Sequence, residues 1–365
     1  MKRFLDLHIP ESTERDRLLE KFQEHLDSGI FIEGDDLINF EKKFAALHSK
    51  NYCVGVKTGT DALVLALKAL KLPPGSKVIT TPFSWIASST AILMAGLKPL
   101  FCNIGKDLNL DPKSFPEPCP ENVSAILVVH LHGIICQMDG IIEYANRFNL
   151  KIIEDCAQAF YSADNKNFLA GTRGDISCFS FNPMKILPAL GDGGAILTND
   201  SSTMLDLKEL RHSGISKDGA SAKILSNNCR LDSLQASFLS IRLDYVKQKI
   251  ERRSQLVARY KRHLPWQIKV LEADLGYREN HYVLQTFSKS RDQLRDFLNA
   301  NKIEARIRHN FLIYDHPIFG EYEPGELVER KFLDQILCLP LHENLSLDDV
   351  DFICSKANEF YEIIQ

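Results

Sequence analysis

Short apolar segments rich in Val, Ile and Phe alternate with segments of helical periodicity along the first two thirds of the chain. Segments that are apolar throughout are typical of strands buried on both faces, and helices between them indicate a mainly parallel sheet flanked by helices. The pattern predicts strands at 77–81, 98–103, 124–130, 150–155, 175–180 and 194–198, and helices at 61–70, 85–95 and 140–148.

The later part of the chain changes to a charged, helical texture. Single hydrophobic cores stop growing near ~250–300 residues, so we expect a large domain at 1–249, with an N-terminal arm, and a small α+β domain at 250–365. Helical texture covers 234–249 and 251–263, strands are predicted at 282–287 and 304–308, and further helices at 291–301 and 346–364.

Composition excludes several classes of protein. The 365 residues carry 44 basic and 48 acidic side chains, a formal charge of −4, which is too balanced for a nucleic-acid or polybasic membrane binder. No apolar run approaches the ~20 residues that span a bilayer, and Asp6 comes too early for a signal peptide. Nine scattered cysteines without a Cys-x-x-Cys pair are typical of reduced thiols, so neither a zinc site nor disulfides are expected. A cytoplasmic enzyme is the expectation, with neither nucleic acid nor membrane as partner.

Three segments are candidates for chemistry. The first is the turn from Thr58 to Asp61, which opens a helix at 61–70. Free amides at a helix start attract an anion, and Gly59 permits close backbone approach. An ordinary helix N-cap is the alternative.

The second candidate is Asp155, which with Glu154 ends a buried apolar strand. The carboxyl edge of a doubly wound sheet is where such folds bind ligands. A buried carboxylate suffers heavy desolvation unless a cation or strong donors face it, so Asp155 implies a positive partner. A cap for the following segment is the other interpretation.

The third candidate is Lys185, on an irregular turn after the strand at 175–180 and before the run Gly191-Asp-Gly-Gly194. A lysine that forms a Schiff base needs such a sheltered position, because only the neutral amine attacks a carbonyl. A surface lysine on a loop is the alternative. Pyridoxal phosphate needs all three features: a lysine for its aldehyde, a carboxylate for its pyridinium nitrogen and a helix start for its phosphate.

At this point the sequence resembles the DegT/DnrJ/EryC1/StrS family of sugar aminotransferases, which are fold-type-I pyridoxal-phosphate enzymes. The likeness extends from about Asp27 to the C-terminus. It is carried by the segments 28–34, 55–63, 78–85, 130–133, 154–159, 174–181, 191–195, 228–236, 301–305 and 339–342, together with Lys185.

The resemblance implies roles for individual residues. Lys185 would hold the cofactor's aldehyde and move the proton during catalysis, and Asp155 would pair with the pyridine nitrogen. Gln158 would approach the phenolic oxygen of the ring. Trp85 would stack on the ring, with core packing as the alternative.

The resemblance also implies a phosphate site and a dimer. The main-chain amides of Thr60 and Asp61 and the hydroxyl of Ser180 would hold the phosphate, although Ser180 could instead cap its strand. Asn228 would reach the phosphate from the partner subunit, so an obligate homodimer with shared active sites is expected.

Substrate residues are less well specified. Arg230, Arg308 and His309 are candidates for binding the nucleotide sugar, with a solvated basic face as the alternative. The chain departs from the family pattern near the expected sugar pocket, since Ile186 replaces a common Asn, Pro188 a usual Gly and His132 a typical Tyr; Phe160 and Tyr161 replace His-Gly. These departures leave the identity of the sugar open.

The predicted function is transfer of an amino group from L-glutamate to a nucleotide-linked keto-sugar, in polysaccharide or lipopolysaccharide biosynthesis. By resemblance, Trp85 and the Thr-Thr-Pro segment before it favour a 4-keto over a 3-keto sugar. Two alternatives stay open: a fold-type-I enzyme that performs dehydration or aldol cleavage, and a regulatory homologue without turnover.

Overall fold

The computed structural model describes residues 1–216, 218–219, 221–222, 224–322 and 330–364. The predicted small domain therefore includes two parts, 323–329 and 365, that lie outside the described residues. The helices are α1 Ser12–Ser28, α2 Asp35–Leu47, α3 Gly59–Ala69, α4 Ala87–Met94, α5 Met138–Phe148, α6 Ser201–Arg211, α7 Ser233–Arg242, α8 Val246–His263, α9 Arg291–Ala300 and α10 Leu347–Ile364. The strands are β1 Tyr52–Val56, β2 Lys77–Thr80, β3 Lys98–Phe101, β4 Val123–Val129, β5 Lys151–Asp155, β6 Ile176–Ser180, β7 Gly194–Thr198, β8 Lys269–Val270, β9 Leu284–Phe287 and β10 Ile336–Leu339.

A seven-stranded sheet forms the centre of the molecule, with strand order β1-β7-β6-β5-β4-β2-β3. β7 runs antiparallel to both of its neighbours, whereas the pairs from β6 to β3 are parallel. Its strands are almost continuously apolar and buried, as sheets covered on both faces require. The predicted mainly parallel sheet, with all six of its predicted strands, is confirmed.

Helix α3 is buried on nearly all sides rather than along one stripe, with each residue from Ala62 to Leu67 inaccessible. It contacts β6 and β7 on one side and α4 and α6 on the other. This packing fixes the start of α3 against the carboxyl end of β6, where the candidate site lies.

A second sheet has the order β10-β9-β8 and is antiparallel. Helices α8, α9 and α10 pack around it and share a separate apolar core. The predicted division between 249 and 250 falls inside α8, which continues from the large sheet to this core. The two-domain division stays a prediction.

The strand predicted at 304–308 is wrong. Arg306 makes one isolated bridge with Cys338, through hydrogen bonds of 3.0 and 2.8 Å. The two amides that precede Arg306 bond elsewhere, because Glu304 N donates to the carbonyl of Lys2 and Ala305 N to Asn299 Oδ1. A ladder cannot extend when the neighbouring donors are already used.

Two expectations about the environment of the chain can be compared with the structure. All nine cysteines lie in the described residues and none forms a disulfide. Within the same described ranges, we find no helix that is both long and apolar enough to cross a membrane.

Candidate active site

The carboxyl edge of the large sheet brings together the residues singled out in the sequence. Asp155 is the last residue of β5 and Ser180 the last of β6. Gln158 and Lys185 follow on the loops after these two strands, and α3 begins beside Ser180. Because β5 and β6 are parallel neighbours, their carboxyl ends open onto the same side of the sheet.

Asp155 is 4% exposed and lacks a salt bridge to any described residue. Its carboxylate accepts hydrogen bonds from Ser88 Oγ at 2.8 Å and from the Ala157 amide at 3.1 Å. Burial raises the pKa of Asp155, although these two donors and the charge of Lys185 act in the opposite direction. Such a carboxylate is stabilised by a cationic partner, as the sequence predicted.

The neighbouring Glu154 points to the other face of β5 and is fully satisfied. Its carboxylate accepts from the amides of Gly171 and Arg173 at 2.8 Å, from the Gly174 amide, and contacts His130 Nε2 at 2.9 Å. Burial opposes ionisation, but the contacts with His130 and the amides prevail, so the pKa of Glu154 is lowered. Glu154 is therefore a structural residue.

Cys156 lies close beside Glu154. Its sulfur forms a compact cluster of potential metal ligands with His130 and Glu154. Burial raises the pKa of the Cys156 thiol, and a neutral thiol is a poor ligand. With the carboxylate of Glu154 occupied by main-chain donors, hydrogen bonding accounts for this cluster without a metal.

Gln158 is held in one orientation by main-chain groups. Its side-chain Oε1 accepts from the His132 amide at 3.0 Å, and its main-chain carbonyl accepts from the side-chain Nδ2 of Asn280 at 2.9 Å. With Oε1 occupied, Gln158 offers its Nε2 donor. The ionised phenolic oxygen of the predicted cofactor ring would require such a donor.

The predicted phosphate corner lies where α3 begins. Thr58 caps the helix, and its Oγ1 accepts from the Asp61 amide at 3.0 Å. A Cβ added to Gly59 would lie 2.6 Å from Ser180 Cβ and 3.0 Å from Ser180 Oγ. The structure thus places the start of α3 against Ser180, and the binding of a phosphate by Thr60, Asp61 and Ser180 stays a prediction. The Asp61 amide is already used by the cap.

The Ser180 hydroxyl also accepts from the Asn182 amide at 3.4 Å, which is the strand-end cap considered as its alternative role. This contact is long for an N–H···O hydrogen bond. Capping of Asn182 and binding of an anion are compatible, since a hydroxyl both accepts and donates.

Trp85 lies in the turn before α4 and is 60% exposed. Packing in the core is therefore not its role. The carbonyl of Trp85 accepts from the Ser88 amide at 3.1 Å, so the turn that carries the indole also carries the hydroxyl that bonds Asp155. Stacking of Trp85 on a cofactor ring stays a prediction.

Lys185 contacts a residue that the sequence did not reveal. Its Nζ lies 3.4 Å from the hydroxyl of Tyr282, and Arg308 approaches the same hydroxyl to 3.2 Å. Tyr282 belongs to a segment predicted as a strand, but no sequence signal indicates that it faces a lysine almost a hundred positions away. Ser88 escaped prediction for the same reason.

The candidate substrate residues have different surroundings. Arg230 pairs with Glu33 at 2.8 Å and donates to Asn228 Oδ1 at 3.0 Å, so both Arg230 and Asn228 are engaged within their own chain. His309 is 3% exposed. Burial, together with the charges of Arg308 and Lys185, lowers the pKa of His309 to about 3.

Both ring nitrogens of His309 are buried without a hydrogen-bond partner among the described residues, and the same is true of His132. The two rings lie 6.2 Å apart, with Phe83 beside both. Burial also lowers the pKa of His132, so both imidazoles are neutral. A neutral pair can donate and accept hydrogen bonds but does not attract an anion by charge.

Comparisons with known proteins agree with this geometry. A sequence model of the DegT/DnrJ/EryC1/StrS aminotransferase family matches residues 12–358. The chain is 32% identical to a pleiotropic regulatory protein of Geobacillus stearothermophilus, covering 98% of both sequences. It is also 32% identical to dTDP-3-amino-3,6-dideoxy-alpha-D-galactopyranose transaminase of Aneurinibacillus thermoaerophilus, covering 98% of the chain and 99% of the relative.

Among solved structures, S. venezuelae DesV in complex with a ketimine intermediate superimposes with a TM-score of 0.93. It is 32% identical in sequence, and the alignment covers 99% of this chain and 98% of DesV.

Proposed function

The chain belongs to the DegT/DnrJ/EryC1/StrS aminotransferase family, and on that premise we propose that it is a pyridoxal-phosphate-dependent aminotransferase acting on a nucleotide-linked keto-sugar. The observation that carries this proposal is the pair of Asp155 and Lys185. Asp155 ends β5 and Lys185 follows the parallel neighbour β6, so both lie at the carboxyl edge of the sheet, and the charge of Lys185 opposes the rise in pKa that burial causes at Asp155. Lys185 supplies the primary amine that the proposed chemistry needs at this position.

The residues present fit pyridoxal phosphate. Asp155 is a buried carboxylate that forms no salt bridge with any described residue, as a site for a protonated pyridine nitrogen requires. Gly59 lets the start of α3 approach Ser180 so closely that a Cβ there would lie 2.6 Å from Ser180 Cβ. We propose that Asp155, Gln158, Ser180, Lys185 and the first amides of α3 hold the cofactor, with Trp85 over its ring.

When bound, pyridoxal phosphate supplies an aldehyde that carries the amino group and a ring that accepts the electrons released when a C–H bond breaks. Asp155 keeps a proton at the pyridine nitrogen, because an ionised carboxylate stabilises the adjacent cation. Lys185 Nζ, as a neutral amine, accepts the proton from the donor's α-carbon and later returns one to the sugar carbon. Ser88 orients Asp155 throughout.

The two substrates are proposed on different grounds. L-glutamate as donor rests on the family resemblance alone. For the acceptor, the transaminase from Aneurinibacillus thermoaerophilus is named for a 3-amino sugar, which favours a 3-keto group, whereas the sequence favoured a 4-keto group. We propose the 3-keto sugar first, and the experiment below separates the two positions.

We propose a cytoplasmic homodimer with shared sites. Ile30, Phe31 and Ile32 are 51%, 43% and 51% exposed beside Glu33, and a run of three exposed apolar residues is typical of an interface. Asn228 lies close to Glu33 through Arg230. Burial of this run against a second copy would bring Asn228 to the edge of the partner's site.

A second candidate is a regulatory protein without turnover, which the name of the Geobacillus relative favours. Its discriminating feature is Lys185. A regulatory homologue would not need an amine at that position, whereas an aminotransferase would lose all turnover without it.

The test is a panel of 3-keto and 4-keto nucleotide sugars, each incubated with glutamate, the cofactor and the protein. We expect mass spectrometry to show an amine in place of the ketone for the 3-keto sugar, and 2-oxoglutarate to accumulate with it. Lys185→Ala should abolish the product, and Lys208→Ala, an exposed lysine of α6, should not. Consumption of sugar without glutamate would support a dehydratase or aldolase, and absence of any turnover would support the regulatory protein.

A further inference from the structure

Tyr282 lies between two cations. It is 4% exposed, and its oxygen accepts hydrogen bonds from Lys185 Nζ at 3.4 Å and from Arg308 at 3.2 Å. The same two side chains lie over the ring, 4.9 and 5.0 Å from its centroid. The hydroxyl and the ring face of one buried tyrosine are therefore both directed at the lysine amine.

The backbone of Tyr282 is fixed independently of these contacts. Its amide donates to Asn280 Oδ1 at 2.9 Å, and its carbonyl accepts from Arg253 at 3.3 Å. Asn280 in turn donates to the carbonyl of Gln158, a residue of the proposed cofactor site. The position of the phenol is thus set by the same loop that orients Gln158.

The two cations occupy the hydrogen-bond-accepting sites of the Tyr282 hydroxyl. A tyrosine oxygen has two lone pairs, and Lys185 and Arg308 each donate to it. Burial on its own would raise the pKa of Tyr282, but the charges of Lys185 and Arg308 outweigh burial, and the pKa is lowered. Around this group, the charge of Lys185 also acts on Asp155, and His309 is held neutral chiefly by burial.

We propose that Tyr282 is a positioning residue for Lys185. Its oxygen holds the lysine amine at the site whenever the amine is not bound covalently, and Arg308 fixes the phenol from the other side. This inference rests on the proposed function, because Lys185 must be released and must return in each half reaction. A hydrogen bond of 3.4 Å in the free protein is consistent with this role, since catalytic contacts often shorten only when the site is filled.

This arrangement gives Arg308 a different role from the predicted one. Its guanidinium is directed at the phenol of Tyr282 and stacked on its ring. Arg308 thus acts on Lys185 through Tyr282. A direct contact between Arg308 and a nucleotide is not needed to explain the position of this half-buried side chain beside Lys185.

The first test uses the protein without cofactor, so that it does not depend on turnover. Tyrosines carrying ¹³C at the ζ position are followed by NMR against pH, and Tyr282→Phe identifies the signal. We expect Tyr282 to titrate below the ordinary tyrosine value of about 10. In Lys185→Met, which removes the charge but keeps the length, the midpoint should rise. An identical midpoint with and without the lysine charge would overturn the proposal.

The second test compares Tyr282→Phe with Tyr260→Phe. Tyr260 is also buried, but its hydroxyl donates to the carbonyl of Pro340, away from the site. We expect Tyr282→Phe to lower kcat roughly tenfold, equivalent to one hydrogen bond in the transition state, with KM for the donor unchanged and the pH profile of kcat shifted. Tyr260→Phe should change thermal stability only.

The outcomes separate this inference from the proposed function. If the wild-type protein transaminates and Tyr282→Phe retains full kcat and the same pH profile, the positioning role is wrong and the function stands. If the wild-type protein does not transaminate at all, the proposed function fails, and the NMR midpoints still report whether Tyr282 and Lys185 interact.

Discussion

At the scale of single residues, Glu154 and Asp155 show how two adjacent carboxylates acquire opposite properties. Successive side chains of a strand point to opposite faces. Glu154 meets three main-chain donors and His130 on its face, whereas Asp155 meets only Ser88 and the Ala157 amide among the described groups. The first carboxylate is stabilised by the protein itself, and the second is left for a cationic ligand.

This difference predicts opposite effects of two isosteric substitutions on the cofactor-free protein. The pKa of Asp155 is raised in the folded state, mainly by burial, so its ionised form weakens folding as the pH rises above the unfolded value of about 3.9. Asp155→Asn removes that cost. The variant's free energy of unfolding, relative to wild type, should therefore increase from about pH 4 upward, while transaminase activity falls by roughly 10²-fold or more.

Glu154→Gln should behave in the opposite way. The pKa of Glu154 is lowered in the folded state, so its carboxylate stabilises the fold above the unfolded value of about 4.3, and this contribution is lost as the pH falls. Breaking this buried network should cost about 3 kcal/mol near neutral pH. Urea unfolding of both variants at several pH values measures the difference. If the free energy of unfolding, relative to wild type, changed with pH in the same direction for both variants, the opposite roles assigned to Asp155 and Glu154 would be contradicted.

The sequence singled out Asp155 and Lys185, to which we assign the chemistry, because Asp155 ends a buried strand, Lys185 follows one, and both match a family pattern. It did not predict Ser88 or Tyr282. A serine in a helix and a tyrosine before a strand are ordinary residues, and their roles depend on contacts across 67 and 97 positions. Such contacts arise only when the chain has folded.

At the scale of elements, the start of α3 is fitted against the end of β6 with no room for a side chain. Gly59 is the residue at the contact, and a Cβ there would overlap Ser180. The glycine is needed for this close approach. It brings the first amides of the helix, where an anion is favoured, next to the Ser180 hydroxyl.

Gly59→Ala should therefore weaken cofactor binding. The added methyl group must displace α3 from β6, at a cost of about 2 kcal/mol in stability, which is typical of an overfilled core. The Kd for pyridoxal phosphate, measured by titrating the cofactor-free protein and following absorbance, should rise at least about tenfold, which corresponds to ~1.4 kcal/mol. Gly320→Ala is the matched control, because no atom lies within 4 Å of a Cβ added there. Equal Kd values for the two variants would refute the proposed phosphate corner.

At this scale the sequence predicted most of the large sheet, but it missed some elements and placed one strand wrongly. The six predicted strands of the large sheet are present, but β1 was missed, because its segment Tyr-Cys-Val-Gly-Val is short and contains Gly55. The segment 304–308 has strand composition, yet its amides bond to Lys2 and Asn299. Local composition does not reveal which partner a donor will find.

At the scale of the whole molecule, we propose that a second copy completes the site. The exposed apolar run from Ile30 to Ile32 and the position of Asn228 near it support a shared site. In an isologous dimer, each subunit would give Asn228 to the site of the other. In a hybrid dimer of one subunit defective in Asn228 and one defective in Lys185, both defects would then lie in the same site.

Mixing two inactive variants tests this arrangement. Lys185→Ala lacks the amine, and Asn228→Asp places a negative charge against the phosphate. If the subunits exchange at equal concentration, one of the two sites in each hybrid is intact, and about a quarter of wild-type activity should return. Activity that stays at the level of the separate variants would place Asn228 in the site of its own subunit.

The fold and the family could be predicted from the sequence because many separate motifs match in order along the chain. The choice of sugar could not, because the sequence departs from the family pattern near the predicted sugar pocket, at His132 among other positions. The ring nitrogens of His132 and of the predicted substrate residue His309 are buried without partners in the described structure, and sequence motifs do not encode which substrate group, if any, would satisfy them.

The most direct test of the account is to locate the covalent attachment of the cofactor. The protein is incubated with pyridoxal phosphate, reduced with borohydride, digested and analysed by mass spectrometry. We expect the peptide that contains Lys185 to carry the mass of one reduced cofactor, and Lys185→Ala to carry none anywhere in the chain. Attachment at a different lysine in the wild-type protein, or no attachment at saturating cofactor, would contradict the account.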